Sequence, residues 1–204
     1  MYKAILFDMD GTIVDSVPAW HLTFNQVLTE TGGKEITYER FADDVLGQST
    51  EQDIEIFFPG LTEDKLISLY DKYFRTHLAS VKLFPDTITT LDYLGSRGLK
   101  KAVVTNTPAD LMNETLDSLG IKDRFEVILG GTDVEVGKPD PAMIHKACRM
   151  LGIAEEEALM VGDTMADIGA GRNAKVATCG IGVKEGDYRV DDLTGLISIL
   201  ESIE

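Results

Sequence analysis

Cysteine is scarce in this sequence, and so are positive charge and long hydrophobic runs. The two cysteines, Cys148 and Cys179, stand in unrelated surroundings without CxxC spacing, so neither a zinc site nor a disulfide framework is expected. No apolar stretch approaches the length of a membrane-spanning helix, and the first residues do not have the pattern of a signal peptide. We therefore expect a cytoplasmic protein with reduced thiols.

The shortage of positive charge limits the partners. Only 19 Lys and Arg residues oppose 35 Asp and Glu residues, and the net charge of −16 disfavours nucleic acid and anionic membranes as partners. A small phosphorylated metabolite remains compatible, because a bound divalent cation would reverse the field at one site. The length of 204 residues fits one domain with an insertion or two small domains, and the sequence leaves monomer and homodimer open.

Short apolar runs alternate with helical patterns from about residue 84 onward, and one such run also opens the chain. Uniformly apolar runs are typical of parallel strands covered on both faces. The alternation predicts a Rossmann-like α/β fold with a parallel sheet and right-handed crossovers. The predicted strands are 4–7, 102–104, 127–129, 158–161 and 176–178, and the predicted helices are 87–94, 109–119, 142–151, 166–173 and 193–203.

Residues 17–82 interrupt this alternation. They contain successive helical patterns at about 19–30, 38–45, 51–57 and 63–80, separated by glycine and proline breaks. We therefore expect an all-helical domain at 17–82, inserted into an α/β core formed by 1–16 and 83–204.

Two acids, Asp8 and Asp10, follow the first apolar run in the segment FDMDGT. Because they stand two apart at a strand end, both can point to one side. Neighbouring carboxylates repel unless a cation or a shared proton intervenes, which suits a metal site with one acid free to react. An Asp-rich turn without chemistry is the alternative, and only the context can decide.

Two later segments have groups suited to phosphate. Thr105 and Asn106 come just before a helix start, where backbone N–H groups and the helix dipole favour phosphate. Thr105 is our phosphate-binding candidate, whereas Thr107, directly before a proline, is predicted to cap the helix. Lys138, in the segment GKPDP, could neutralise phosphate oxygens during transfer, although a solvated surface position is the usual alternative for a single lysine.

A second acidic pair consists of Asp163 and Asp167, in the segment MVGDTMAD. Asp163 ends a predicted strand and is a candidate metal ligand. Asp167 lies one helical turn further, and Thr164-x-x-Asp167 resembles a capping pair. We favour Asp167 as a partner of Lys138 rather than as a direct ligand.

In this order and on these elements, the four segments resemble the haloacid dehalogenase superfamily, and the likeness covers nearly the whole chain. The stretch Asp8–Thr12 is similar to the first motif of that superfamily, Thr105 to the second, Lys138 to the third, and Asp163 with Asp167 to the fourth. The helical insertion resembles the four-helix cap of the phosphoglycolate-phosphatase-like branch.

The resemblance implies a magnesium-dependent phosphatase. Asp8 would attack phosphorus and form an aspartyl-phosphate, while Asp10 would protonate the leaving oxygen and then activate water. Mg²⁺ would be held by the Asp8 carboxylate, the Asp10 backbone carbonyl and Asp163. The cap would close over the site and select the substrate. The residues implied to hold the remaining phosphate oxygens are Thr105, Asn106 and Lys138.

Asp10 separates the chemistries of this superfamily, because the dehalogenase branch lacks an acid there and the ion-pumping ATPases have a threonine. A sugar phosphomutase would keep Asp10, but such relatives usually have a histidine five residues after Asp15, where this sequence has Trp20 followed by His21. Inorganic pyrophosphatase is a further alternative. A non-catalytic phosphate-binding protein would not need Asp10.

The sequence does not fix the substrate, which by family analogy is a small phosphate monoester of the phosphoglycolate or sugar-phosphate type. Gln48 and Ser49 lie where relatives place a cap loop that reaches into the site, so both are candidate specificity contacts. The alternative for this pair is a turn followed by a helix cap.

Overall fold

The computed structural model describes residues 1–46 and 50–203, and the chain divides into two compact units. One unit comprises Met1–Asp15 and Lys82–Glu204, and the other comprises Ser16–Val81. The predicted division, at 16/17 and 82/83, lies one residue away at each junction. Within the described residues, none of the helices combines the length and the apolar character that a membrane crossing requires.

The first unit is built on a parallel sheet. The strands of the chain are β1 (Ala4–Phe7), β2 (Val14–Asp15), β3 (Lys82–Leu83), β4 (Lys100–Val104), β5 (Val127–Leu129), β6 (Ala158–Gly162), β7 (Ala177–Ile181) and β8 (Tyr188–Val190). Among the described residues, six of them form one sheet in the order β5-β4-β1-β6-β7-β8. The strands β2 and β3 pair antiparallel, where the chain leaves the unit and returns to it.

The middle strand β1 sets the position of its neighbours. Phe7, its last residue, is level with Val103 of β4 and with Val161 of β6. Every residue of β1 is fully buried, as expected for an apolar run that is covered on both faces. The chain segments that follow β1, β4 and β6 therefore emerge side by side at one edge of the sheet, the carboxyl edge.

Helices cover the sheet and make up most of the second unit. They are α1 (Val17–Glu30), α2 (Tyr38–Asp44), α3 (Thr50–Phe57) and α4 (Glu63–His77) in the second unit, and α5 (Thr87–Ser96), α6 (Ala109–Ser118), α7 (Ala142–Leu151), α8 (Met165–Ala174) and α9 (Leu193–Ser202) in the first. Leu6 of β1 belongs to one apolar cluster with Met143 and Ala147 of α7 and Ala170 of α8. By strand alternation Ile5 points to the opposite face, and it too is fully buried.

The helical unit has an apolar core of its own. Phe24 of α1 packs edge to face against Phe41 of α2 and against Phe58, at ring-centroid distances of 5.6 and 5.2 Å. The buried Asp53 of α3 accepts a hydrogen bond from the Tyr70 hydroxyl of α4 at 2.8 Å. Among the described residues, aromatic packing and the buried polar contact between α3 and α4 therefore help to hold the helices of this unit together.

Candidate active site

Three strand ends place acidic and hydroxyl groups at the carboxyl edge of the sheet. Asp8 follows β1, Thr105 follows β4 and Asp163 follows β6. The backbone N–H of Asp8 continues the ladder by donating to Val161 at 2.9 Å, which keeps Asp8 aligned with the end of β6. Residues far apart in the sequence thus meet because parallel strands end together.

Lys138 lies between two of the predicted acids. Its Nζ is 2.7 Å from Asp8 Oδ1 and 2.6 Å from Asp167 Oδ1, and its side chain is 2% exposed. Burial alone would lower the pKa of Lys138, but Asp8 and Asp167 outweigh burial and raise it above its ordinary value. The lysine is therefore a buried, charged group rather than the solvated surface residue of the alternative interpretation.

Asp167 has partners on both carboxylate oxygens. Oδ1 accepts from Lys138, while Oδ2 accepts from the Thr164 backbone N–H at 2.9 Å and from its hydroxyl at 2.6 Å. Thr164 in turn caps α8 by accepting from the Asp167 N–H. Both contacts predicted for Asp167, to Lys138 and within the helix cap, are present.

Asp8, Asp163 and Asp167 form an acidic cluster. One carboxylate oxygen of each lies within 4.8 Å of the others, and Lys138 is the cation in contact with two of them. Burial, followed by the charge of Asp167, raises the pKa of Asp8 well above its usual range, while Lys138 opposes the rise. Burial raises the pKa of Asp163 to about 6, opposed by a hydrogen bond from Thr12. Three carboxyl groups therefore share one ammonium, and ionising all three would leave negative charge that Lys138 does not neutralise.

The donor set fits a hard divalent cation. Asp8 Oδ1 is buried, and among the described residues its contact is with the Lys138 ammonium at 2.7 Å. Carboxylate oxygens are the protein ligands that Mg²⁺ prefers, and a dication would offset the excess charge. The Asp10 carboxylate is not part of this cluster, and metal binding by the Asp10 backbone carbonyl stays a prediction.

Thr12 and Gly11 support Asp163. The Thr12 hydroxyl donates to Asp163 Oδ1 at 2.7 Å. Gly11 has a φ of +79°, and a Cβ on it would lie 2.1 Å from Asp163 Oδ2. In the sequence these two residues stood out only as part of a motif, and the structure shows why a glycine is needed: the Asp163 carboxylate occupies the space of a side chain.

The Asp10 carboxylate is held by Thr107, which the sequence predicted to be a helix cap. Its Oδ2 accepts a hydrogen bond from the Thr107 hydroxyl at 2.7 Å. The prediction that Thr107 caps the following helix is wrong, because Pro108 occupies the cap position of α6. The N–H of Ala109 is bonded instead to the hydroxyl of Thr132, at 3.1 Å. No local pattern could reveal a bond between residues 97 positions apart.

Thr105 and Asn106 organise the loop after β4. The Thr105 hydroxyl oxygen accepts a hydrogen bond from the Thr107 N–H at 3.2 Å. The hydroxyl hydrogen of Thr105 can therefore still be donated to an acceptor such as phosphate. The Asn106 side chain accepts from the Lys138 N–H at 2.8 Å and donates to the Lys138 carbonyl at 2.9 Å. Asn106 therefore fixes the backbone of Lys138, a role that the sequence did not predict, and its contact with phosphate stays a prediction.

Trp20 and His21, which stand where phosphomutase relatives usually have a histidine, contact other residues of the helical unit. His21 has its Nε2 2.9 Å from the Ile36 carbonyl oxygen. Trp20 packs against Phe74 with ring centroids 4.3 Å apart. Gln48 and Ser49 lie outside the described residues, so their predicted contacts stay predictions.

A family model, curated relatives and solved structures all match this chain. Residues 5–181 match the family model described as haloacid dehalogenase-like hydrolase. A phosphoglycolate phosphatase of Aquifex aeolicus (strain VF5) is 34% identical over 181 residues, which cover 86% of this chain and 83% of the relative. A protein of Clostridium perfringens (strain 13 / Type A), whose name proposes a pyrophosphatase, PpaX, is 31% identical over 221 residues, with 100% and 99% coverage. The crystal structure of a predicted phosphoglycolate phosphatase from Haemophilus somnus 129pt superposes with a TM-score of 0.83 at 26% identity, covering 98% of each chain.

Proposed function

The chain belongs to the haloacid dehalogenase-like hydrolase family, and from this premise we propose that it is a magnesium-dependent phosphatase acting on a small phosphate monoester through an aspartyl-phosphate on Asp8. One observation carries the proposal. The buried Asp8 carboxylate lies 2.7 Å from the Lys138 ammonium, in one cluster with the Asp163 carboxylate. This arrangement suits a carboxylate nucleophile whose neighbouring charges are balanced by a lysine and a dication.

Mg²⁺ fits the donor set described above. The Asp8 and Asp163 carboxylates and the Asp10 backbone carbonyl would hold it, whereas Asp167 is engaged through both oxygens with Lys138 and Thr164. When bound, the ion supplies positive charge that offsets the charge of the phosphoryl oxygens and of the acidic cluster.

In the first step, an Asp8 oxygen forms a bond to phosphorus while the ester P–O bond breaks, and Asp10 gives its proton to the leaving oxygen. In the second step, Asp10 takes a proton from water, the water oxygen attacks phosphorus, and the Asp8 carboxylate is regenerated as phosphate leaves. The Lys138 charge offsets the negative charge gathered at Asp8 in both steps, and the Thr105 hydroxyl is available to bind a phosphate oxygen.

The choice of substrate rests on the relatives. The relative from A. aeolicus is named a phosphoglycolate phosphatase, which supports a small phosphorylated acid as the first candidate. The relative from C. perfringens supports pyrophosphate as the second. A phosphomutase is disfavoured, because His21 contacts the Ile36 carbonyl inside the helical unit and the preceding position is a tryptophan.

A phosphate-release screen over phosphoglycolate, sugar phosphates and pyrophosphate tests the proposal. We expect release with Mg²⁺, its loss with a chelator, and its recovery when Mg²⁺ is added back. Asp8→Asn is the blank, and Asp10→Ala is expected to keep ligand binding but lose turnover, which separates an enzyme from a phosphate-binding protein. Release that persists in Asp8→Asn would overturn the proposal.

A further inference from the structure

We infer that Thr107 is a positioning residue that holds the carboxylate of Asp10 in place for proton transfer. This inference rests on the proposed function, because it concerns the acid and base role of Asp10. The observation that supports the inference is the hydrogen bond from the Thr107 hydroxyl to Asp10 Oδ2, at 2.7 Å. It joins the loop after β1 to the loop after β4, whose strands lie side by side.

Thr107 is itself fixed by its backbone. Its carbonyl accepts from the Gly131 N–H at 2.8 Å, its N–H donates to the Thr105 oxygen at 3.2 Å, and the residue is 9% exposed. The packing around it is close, since a Cβ on Gly130 would lie 2.8 Å from the Thr107 carbonyl oxygen. The hydroxyl therefore projects from a loop with little freedom to move, as a group that orients another side chain must.

The hydroxyl is not needed for the helix that follows. The N–H of Ala109, in the first turn of α6, is bonded to the Thr132 hydroxyl. This leaves the hydroxyl of Thr107 to Asp10, and a purely structural role as a helix cap is thereby excluded for this residue.

A hydroxyl also suits both protonation states of Asp10. It donates to the ionised carboxylate, and it can rotate and accept when the carboxyl group is protonated. The same contact can therefore hold Asp10 while it delivers a proton and while it removes one. A small displacement of a catalytic group from its reacting partner lowers the reaction rate strongly. Holding Asp10 in place is therefore expected to speed the proton-transfer step.

The test compares Thr107→Val, which keeps the shape but lacks the hydroxyl, with Thr107→Ser, which keeps the hydroxyl. For each variant, kcat/KM is measured with Mg²⁺ on the alkyl phosphate that the wild type hydrolyses fastest and on p-nitrophenyl phosphate. The nitrophenolate leaves without a proton, whereas an alkoxide needs one. We expect Thr107→Val to lose roughly 10- to 100-fold on the alkyl phosphate and less than about 3-fold on p-nitrophenyl phosphate, and Thr107→Ser to stay near wild type on both.

Thr132→Val is the matched control, since among the described residues the hydroxyl that it removes is bonded to the Ala109 N–H at the start of α6. It is expected to lower the thermal midpoint without changing the ratio of the two rates. If Thr107→Val does not fold, Thr107→Ala carries the same comparison. An equal loss on both substrates, an unchanged rate or a gain in the variant that folds would overturn the inference while the proposed function stands. A wild type without magnesium-dependent release would overturn both.

Discussion

Gly11 lacks a side chain at a position where the Asp163 carboxylate fills the space that a Cβ would need. We expect Gly11→Ala to lower kcat/KM by more than about 100-fold, because the new methyl group would displace the Asp163 carboxylate, 2.1 Å from its Cβ position. Gly120→Ala is the matched control: its φ is +66°, but a Cβ there meets nothing within 4 Å. It should cost about 1 kcal/mol of stability and leave the rate unchanged. Equal rates for the two variants would contradict this account of Gly11.

Asn106 is expected to act on the rate through Lys138. Asn106→Ala removes both hydrogen bonds to the Lys138 backbone, so we expect kcat/KM to fall roughly 10- to 100-fold as the ammonium becomes less well placed. Asn113→Ala serves as its control, because the Asn113 amide bonds only the Ala109 carbonyl one turn back in α6 among the described residues. The comparison fails if both asparagine variants lose the same rate.

At the scale of elements, the contact between α3 and α4 should make the helical unit sensitive to pH. Burial raises the pKa of Asp53 from 3.8 to about 6, and the hydrogen bond from Tyr70 opposes the rise. A carboxyl group with a raised folded pKa contributes stability that is present below pH 3.8 and is lost as pH rises through about 6. Asp53→Asn stays neutral and keeps an acceptor for Tyr70. We therefore expect its free energy of unfolding, relative to wild type, to rise by about 2 kcal/mol between pH 4 and pH 8.

Urea unfolding at the two pH values measures this difference. Glu55→Gln is the control, because it makes the same acid-to-amide change in the same helix at an exposed position. An Asp53→Asn variant that gains nothing at pH 8 would show that the buried carboxylate costs the unit no stability.

The elements that the sequence predicted are those with a local signal. Fully buried runs such as Ala4–Phe7 read as parallel strands because both of their faces are apolar. The edge strand β8 was missed, since Tyr188–Val190 is short and only partly buried, so its composition resembles that of a loop. The pair of two-residue strands β2 and β3 was missed for the same reason.

Among the site residues, too, those with a local sequence signal were predicted and those that depend on distant contacts were not. The acids and Lys138 were predicted because each stands at a strand end or before a helix, and the order of such segments along the chain was informative. The roles of Thr107 and Asn106 were not predictable, because each depends on a contact to another loop, at separations of 97 and 32 residues. The sequence therefore predicts the candidate site residues better than it predicts the contacts that hold them in place.

At the scale of the whole molecule, the net charge of −16 and the acidic cluster predict stabilisation by Mg²⁺. A ligand that binds only the folded state raises its stability, by about 2.7 kcal/mol at a hundred times Kd. We expect the thermal midpoint of the wild type to rise by several degrees in saturating Mg²⁺, and Asp163→Asn to lose this rise.

Two controls separate the site from general attraction of cations. Glu156→Gln removes one exposed negative charge and should keep the rise. Sodium chloride at equal ionic strength should not reproduce it, because screening alone does not depend on a specific site. If the thermal midpoint of Asp163→Asn rises by as much as that of the wild type, the stabilisation comes from the general surface charge and not from the acidic cluster.

If Asp8 is the nucleophile, its carboxylate becomes covalently phosphorylated during turnover. The most direct measurement is an acid quench during turnover with Mg²⁺, followed by mass spectrometry of the peptide that contains residue 8. We expect one phosphoryl group on Asp8 that hydroxylamine removes, and none in Asp8→Asn, which should also be inactive. Turnover that leaves Asp8 unmodified, together with an active Asp8→Asn variant, would contradict it.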